Sequence, residues 1–557
     1  MTALFPQTAQ ARCAEGTGAT DCWEQLQYSK RDKLVIEVEV HNSLRTFLRS
    51  AGEPMWPHHL TMARLVARAL RLERSALMQT GVSPTAAGGR YRLSYLMPLL
   101  MWPNRAVLVA AEEVQQRVLN VEIPQLQQWL DKPKAIRTGS RWPSEGFQGL
   151  LLTTPEAWLK DRLEGGGGFP AGVVTVVDGA DDLEEWAERL LSAGIHPGDW
   201  NELMLARPDR AEAIRDARVR LTRAVFQHPA NPYECCLMEA EEREILTGLF
   251  RALQPSSSAQ TEGGPELRPD SSWGLPAAWC GFWQRWQTNG QLLWAEIARR
   301  QGLFSLFCSP VEVAEALSPV WQQQPVVLIG AAMDLEVGAP IYRQRLGLGE
   351  LTCLKFSPAR QNELIQLYLP DRLPLPNTPQ FQEALMREFR ALLGAGDAEA
   401  GLTVLIVGDV PLKARAGAAL AAEFGSRVQV ERTCLDDRGI LVTGWEFWLA
   451  NQGVLPAPHL LAIATLPVPS LENPLVAGRV AHYKQQRLDW FRLYLLPKAL
   501  STLQLAIRPV RDCQGVVALF DSRVLHRSYG HQVLAALSPL ARTDYLDPSW
   551  FAQPDRS

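Results

Sequence analysis

The sequence predicts an α/β protein built on doubly wound parallel sheets. Two observations carry this. Seven short apolar runs recur: VLVA at 107–110, VVTVV at 173–177, VVLI at 326–329, VLIV at 404–407, ILV at 440–442, LLAIA at 460–464 and VVALF at 516–520. Each lies between helix-like segments and is continuous rather than alternating, the mark of a strand covered on both faces. The runs also fall into two clusters, one before about residue 350 and one after about 400. The chain's 557 residues exceed what a single core supports, so two lobes are expected. Charged residues make up 21%, an ordinary globular level that argues against wholesale disorder. The net charge of -4 neither demands nor excludes a polyanionic partner, because local patches outweigh the sum.

In chain order, residues 1–40 read as an N-terminal extension. MTALFPQTAQARCAEG lacks a basic stretch followed by an apolar one, so no signal peptide is expected. The most apolar stretch, LSYLMPLLMWP, is interrupted by Pro98, Pro103, Asn104 and Arg105 and is too short to span a bilayer. The nine Cys include no C-x-x-C, which fits a reducing compartment, and the cytoplasm is the expected address. A first lobe is expected over 41–198 and 319–355. Its run at 173–177 ends on Asp178, a carboxylate aimed at the carboxyl edge of the sheet, where ligands of such folds bind. The same Asp also fits a simple helix cap. Residues 199–318 show no strand signal and read as a helical insertion. A flexible linker is expected at 255–272 (PSSSAQTEGGPELRPDSS). Trp279, Trp283 and Trp286 follow at helical spacing and read as core rather than as a base-stacking platform. A second lobe is expected over 356–557.

The ends of the runs carry a resemblance. GVVALFDSRVLHRSYG at 515–530, LPKALSTLQLAIRPVRD at 496–512, TGWEFWLANQ at 443–452, IGAAMDL at 329–335, VVDGADDLEE at 176–185, LVAAEEVQQRVLNVEIPQL at 108–126 and MQTGVSPTAAGGRYRLSYLMP at 78–98 stand in the order of the motifs of the DinG/XPD-like superfamily-2 DNA helicases. The chain resembles that family over nearly its whole length. The resemblance implies two RecA-like lobes, the insertion interrupting the first. It implies ATP and Mg²⁺ as cofactors and single-stranded or junction DNA as partner. It places Asp178 at the metal and catalytic position, and Arg508 and Arg511 at the arginine fingers that act across the cleft. Thr80, Gly81, Gly88, Gly89, Arg90 and Arg92 fall in the nucleotide loop with Asp178.

Departures from the family pattern are specific. Tyr91 and Arg92 fall where Lys and Ser/Thr belong, Gly179 replaces the catalytic Glu, and Asp181 replaces the His. His59 stands at the adenine-reading Gln, and Leu449 and Gln452 stand at the Glu and Asp of the motif near 450. Losing a general base alone costs roughly 10²–10⁴-fold in rate, so ATP binding or hydrolysis is expected to be weakened or lost. No Cys lies between Cys22 and Cys235, so no iron–sulfur cluster is expected. Lys132, Lys134 and Arg137, with Lys484 and Arg487, are candidate phosphate contacts. The basic segment from Arg479 to Lys498, with Arg508 and Arg511, reads equally as a solvated face. His58 and His59 have no ligand partners at metal spacing. A monomer is expected, with no membrane association, acting beside a repair or replication protein. Two other readings fit the same residues. One is an active helicase using Arg90 or Arg92 in place of Lys. The other is a non-enzymatic module whose insertion docks a partner.

Overall fold

The computed structural model describes residues 36–51, 56–81, 90–130, 132–254, 274–356, 364–395, 401–436 and 438–547. The linker expected at 255–272 lies outside them, as do Gly88 and Gly89.

The first lobe begins with a helix over 36–51, which places Ile36, Val40, Leu44 and Phe47 in the core at helical spacing. The lobe therefore starts inside the segment read as an extension. Its strands in chain order are β1 (Ala76–Gln79), β2 (Ala106–Val109), β3 (Ile136–Thr138), β4 (Leu150–Thr153) and β5 (Val174–Asp178). The insertion then supplies β6 (Ala193–Ile195), β7 (Cys235–Leu237), β8 (Gln291–Ala298) and β9 (Leu303–Pro310), and the lobe resumes with β10 (Val326–Gly330) and β11 (Thr352–Lys355). Among the described residues the first sheet has seven strands, ordered β11-β1-β10-β5-β2-β4-β3 and parallel throughout. Apolar clusters cover both of its faces, one with Leu108, Val176 and Ile329, the other with Val107, Val177 and Leu328. This is why its central strands are apolar at every position.

The second lobe repeats the plan. Strands β12 (Ile365–Tyr368), β13 (Thr403–Ile406), β14 (Val428–Val430), β15 (Ile440–Thr443), β16 (Leu460–Ile463), β17 (Val516–Leu519) and β18 (Leu540–Thr543) form a parallel sheet. Its order is β14-β15-β13-β16-β17-β12-β18. The fold class expected from the sequence, two RecA-like lobes, is the one observed.

The insertion differs from its expected form. It begins at β6, before residue 199, and it is not purely helical. Strands β6-β9-β8-β7 form an antiparallel sheet beside helices Asp199–Ala206, Ala211–Gln227, Ala240–Leu253 and Ala277–Trp286. Trp279 and Trp283 are fully buried against it and Trp286 is half-buried, so this tryptophan stripe is core. Among the described residues, no helix is long and apolar enough to cross a membrane.

Candidate functional site

Strand β5 delivers Asp178 to the carboxyl edge of the first sheet, and the chain then turns sharply. Gly179 takes φ +80°, a left-handed conformation that costs a glycine little. The helix Leu93–Met101 and the single turn Arg90–Arg92 before it run past this edge. Tyr91 and Tyr95, four residues apart, share a helical face. Tyr91 Oη donates to Asp178 Oδ1 at 2.5 Å and Tyr95 Oη to Oδ2 at 2.7 Å. Arg92 sits with Nε 3.5 Å from Asp178 Oδ2 and Nη1 3.5 Å from Glu122 Oε1. The Asp178 side chain has no exposed surface. Burial pushes its pKa up, while Arg92 and the two hydroxyls pull the other way. Both tyrosines are held well above their ordinary range, by burial first and then by the Asp178 charge, so their hydroxyls stay protonated donors.

The resemblance led to the expectation that Asp178 faces a metal nucleotide; here its two oxygens face Tyr91, Tyr95 and Arg92. A Mg²⁺ ion keeps most of its waters and needs a carboxylate oxygen at about 2.0–2.1 Å on open space. A fully covered carboxylate with a hydroxyl on each oxygen does not fit that ion in this arrangement. Among the described residues no group of three or more His, Cys, Asp or Glu side chains could hold a metal.

The neighbouring positions are closed in the same way. Thr80 is buried, its hydroxyl 3.2 Å from the Gly330 carbonyl, and the amides of Thr80 and Gly81 bond to the carbonyls of Gly330 and Ala331. The chain at Thr80 and Gly81, where a nucleotide loop was expected to start, is thus zipped to the end of β10. Asp181 accepts from the amides of Ala331 (2.6 Å) and Ala332 (2.7 Å). A Cβ at Gly330 would stand 2.6 Å from its carboxylate. His59 does not face a base-sized opening: it lies buried, 2.8 Å from Ser94 Oγ, with Trp56 beside it. Burial, helped by His58, lowers its pKa to about 4.

The second lobe closes over this edge. Arg508, half-buried, donates from Nη1 to the Gly81 carbonyl at 2.8 Å, so it does reach across the cleft. Arg511 is buried at the cleft wall and donates to the carbonyls of Leu537, Ser538 (3.0 Å) and Pro539 (3.2 Å) of its own lobe. Trp448 Nε1 and Gln452 Nε2 hydrogen-bond the last carbonyls of helix Leu496–Ala506, at 2.9 Å and 3.1 Å. They cap that helix end and so set where Arg508 begins. Between the lobes remains a cleft of about 650 Å³, lined among others by Gly81, Ala332, Lys355, Phe356, Arg508 and Arg511.

No family model matches the chain. In sequence it is similar to the ATP-dependent DNA helicase YoaA of Haemophilus influenzae, 27% identical over 275 residues, which are 46% of this chain and 42% of that one. It is likewise similar to YoaA of Escherichia coli, 26% identical over 267 residues with the same coverage. These matches span less than half the length of either relative. In structure it is similar to an apo XPD (TM-score 0.52, 12% identity, 87% of this chain and all of that one) and to S. tokodaii Xpd4 (0.55, 12%, 88% and all). The fold is that of XPD. The chain is thus similar in part of its sequence to YoaA and in its fold to XPD.

On the XPD-like frame the candidate phosphate contacts separate into two groups. Lys132, Arg137, Lys484 and Arg487 are exposed, with Lys484 5.2 Å over the Trp490 ring. Lys134 is turned inward onto the carbonyls of Trp102 and Asn104, and burial lowers its pKa to about 8. It ties down a loop rather than offering a charge. Arg90 opens its turn beside this site. Sequence reasoning missed Tyr95, Glu122 and Lys355, whose ammonium donates to the carbonyls of Asp334 and Leu335, both at 2.8 Å. The Tyr91 and Tyr95 spacing on a helix start was the available signal.

Proposed function

We propose that this chain is a DNA-binding protein of the DinG/XPD-like kind in which ATP hydrolysis is weak or lost. The main support is the Asp178 carboxylate, occupied on both oxygens and fully covered. Phosphoryl transfer in this architecture relies on charge placed around a metal nucleotide. Here Tyr91, Arg92 and Gly179 stand where the family has Lys, Ser/Thr and Glu. Asp178 then acts as an anchor for the helix that should cradle phosphate. DNA as ligand is supported by the relatives, both named ATP-dependent DNA helicases. The exposed Lys132, Arg137, Lys484 and Arg487 supply phosphate-neutralising charge. In this reading the protein works as a monomer on single-stranded or junction DNA, in repair or replication. An ATPase assay with single-stranded DNA should give a rate near buffer, and ordinary helicase turnover overturns the proposal.

A second reading rests on one observation: Arg508 still crosses to Gly81 beside an open cleft. Nucleotide would then bind without being cleaved. Calorimetry with and without Mg²⁺ tests this: nucleotide binding without measurable hydrolysis supports the second reading, tight Mg²⁺-dependent binding together with turnover favours a retained motor, and no binding excludes both.

A further inference from the structure

Three elements far apart in the chain meet where the second lobe touches the first lobe and the insertion. Helix Pro474–Gln485 of the second lobe lies against the insertion's sheet and against helix Leu183–Leu191 of the first lobe. Gly478 is the point of closest approach. A Cβ there would stand 2.5 Å from Leu292 Cδ1 on β8 and 3.2 Å from Leu237 Cδ2 on β7. A side chain there would have to push these leucine ends aside, and a large one would hold the helix off the insertion. One position on, Arg479 pairs with Glu188 of the first lobe, their side chains 13% and 28% exposed. The same guanidinium lies 5.7 Å over Tyr494, which stacks on Tyr483 at 6.2 Å and 4°. Tyr483 in turn lines a small pocket with Glu312, where the insertion rejoins the first lobe. Further along the interface, Ser501 Oγ donates to the Ala332 carbonyl at 2.7 Å, and Leu335 of the first lobe packs into the core of the second.

We propose that helix Pro474–Gln485 and the insertion form a built-in strut that holds the two lobes closed without nucleotide. In a nucleotide-driven machine, closure is drawn from tighter binding of the ligand to the closed state. Here the chain supplies the closing contacts itself. Opening would break the Arg479–Glu188 pair and expose the Leu237 and Leu292 contact to water. The insertion, rooted in one lobe and packed on the other, converts a two-lobed motor frame into a fixed clamp. This holds whatever the clamp grips, and it stands apart from the hydrolysis reading.

Small-angle X-ray scattering of the full chain, with and without a Mg²⁺-bound non-hydrolysable ATP analogue, tests it. The unmodified protein is expected to give one compact profile in both conditions. Glu188→Arg should shift the radius of gyration upward, and adding Arg479→Glu to it should restore the compact profile. Circular dichroism reports whether each variant is folded, and Gly478→Leu provides an independent break should Glu188→Arg not fold. A profile of the unmodified protein that contracts on nucleotide addition overturns the strut, whatever the variants do. So does an unchanged profile in a folded Glu188→Arg or Gly478→Leu variant. Measured ATP hydrolysis with an unmoved profile would instead overturn the hydrolysis reading alone.

Discussion

Two tyrosine hydroxyls on one carboxylate set the character of the first lobe's edge. Removing one leaves a buried acceptor short of a donor, which costs about 1–3 kcal/mol. Tyr91→Phe should therefore lower the urea midpoint by that equivalent. The loss should shrink in an Asp178→Ala background, because the two residues share one interaction. Equal losses in both backgrounds would show that the hydroxyl acts elsewhere. His59 makes a pH prediction. Its folded pKa of about 4 lies below the ordinary value of 6.5, so the unfolded chain binds the proton more readily. Its contribution is intact above about pH 6.5 and is lost as pH falls toward 4, up to about 3 kcal/mol at 1.36 kcal/mol per pH unit. Urea titrations at pH 7.5 and pH 5 should show about 2 kcal/mol of this fall in the native protein and a smaller one in His59→Gln. The identity of Asp178 as a strand-end carboxylate is legible in the sequence. Its partners are not, because a Tyr at a helix start reads equally as core.

The seven apolar runs are β2, β5 and β10 in one sheet and β13, β15, β16 and β17 in the other. In each sheet they are adjacent and lie at or near its centre. Strands there are covered by helices on both sides, so their sequences are apolar without interruption. Strands β1 and β4 read ALMQ and LLLT, with Thr153 the one β-branched residue between them, and such residues are what favour a strand over a helix. The outer strands are short or half-exposed and carry little signal. The β8–β9 hairpin was hidden for another reason: Trp294 and Phe307 stack across it at 4.4 Å, and neither reads as an alternating pattern. Gly302, at φ +65° in its turn, was the clue. Because Trp283 is buried in the insertion's own core, Trp283→Ala should cost about 3–5 kcal/mol locally. Hydrogen exchange should then quicken across residues 193–310 while the β5 and β16 amides stay protected. Uniform loss of protection would mean that the insertion and the lobes unfold as one.

For the whole molecule, the question is whether basic side chains on separate elements act on one strand of DNA. If they do, affinity should fall steeply with salt. Lys484→Glu with Arg487→Glu should weaken binding and flatten the salt dependence, each lost phosphate contact removing about 0.7 from the slope for a single strand. Lys134→Ala should change stability more than binding, since its ammonium is committed to two carbonyls. An unchanged slope in the double variant would move the DNA path away from helix Pro474–Gln485.

Local pattern was enough to determine the α/β class, the two lobes, the centre of each sheet and the strand end that carries Asp178. Burial on both faces writes itself into consecutive residues. What Asp178 touches, the reach of Arg508 across the cleft, and the antiparallel sheet in the insertion were settled by tertiary structure alone. Each depends on groups brought together from distant parts of the chain, and side-chain direction at such meetings follows from packing, which no short stretch of sequence contains.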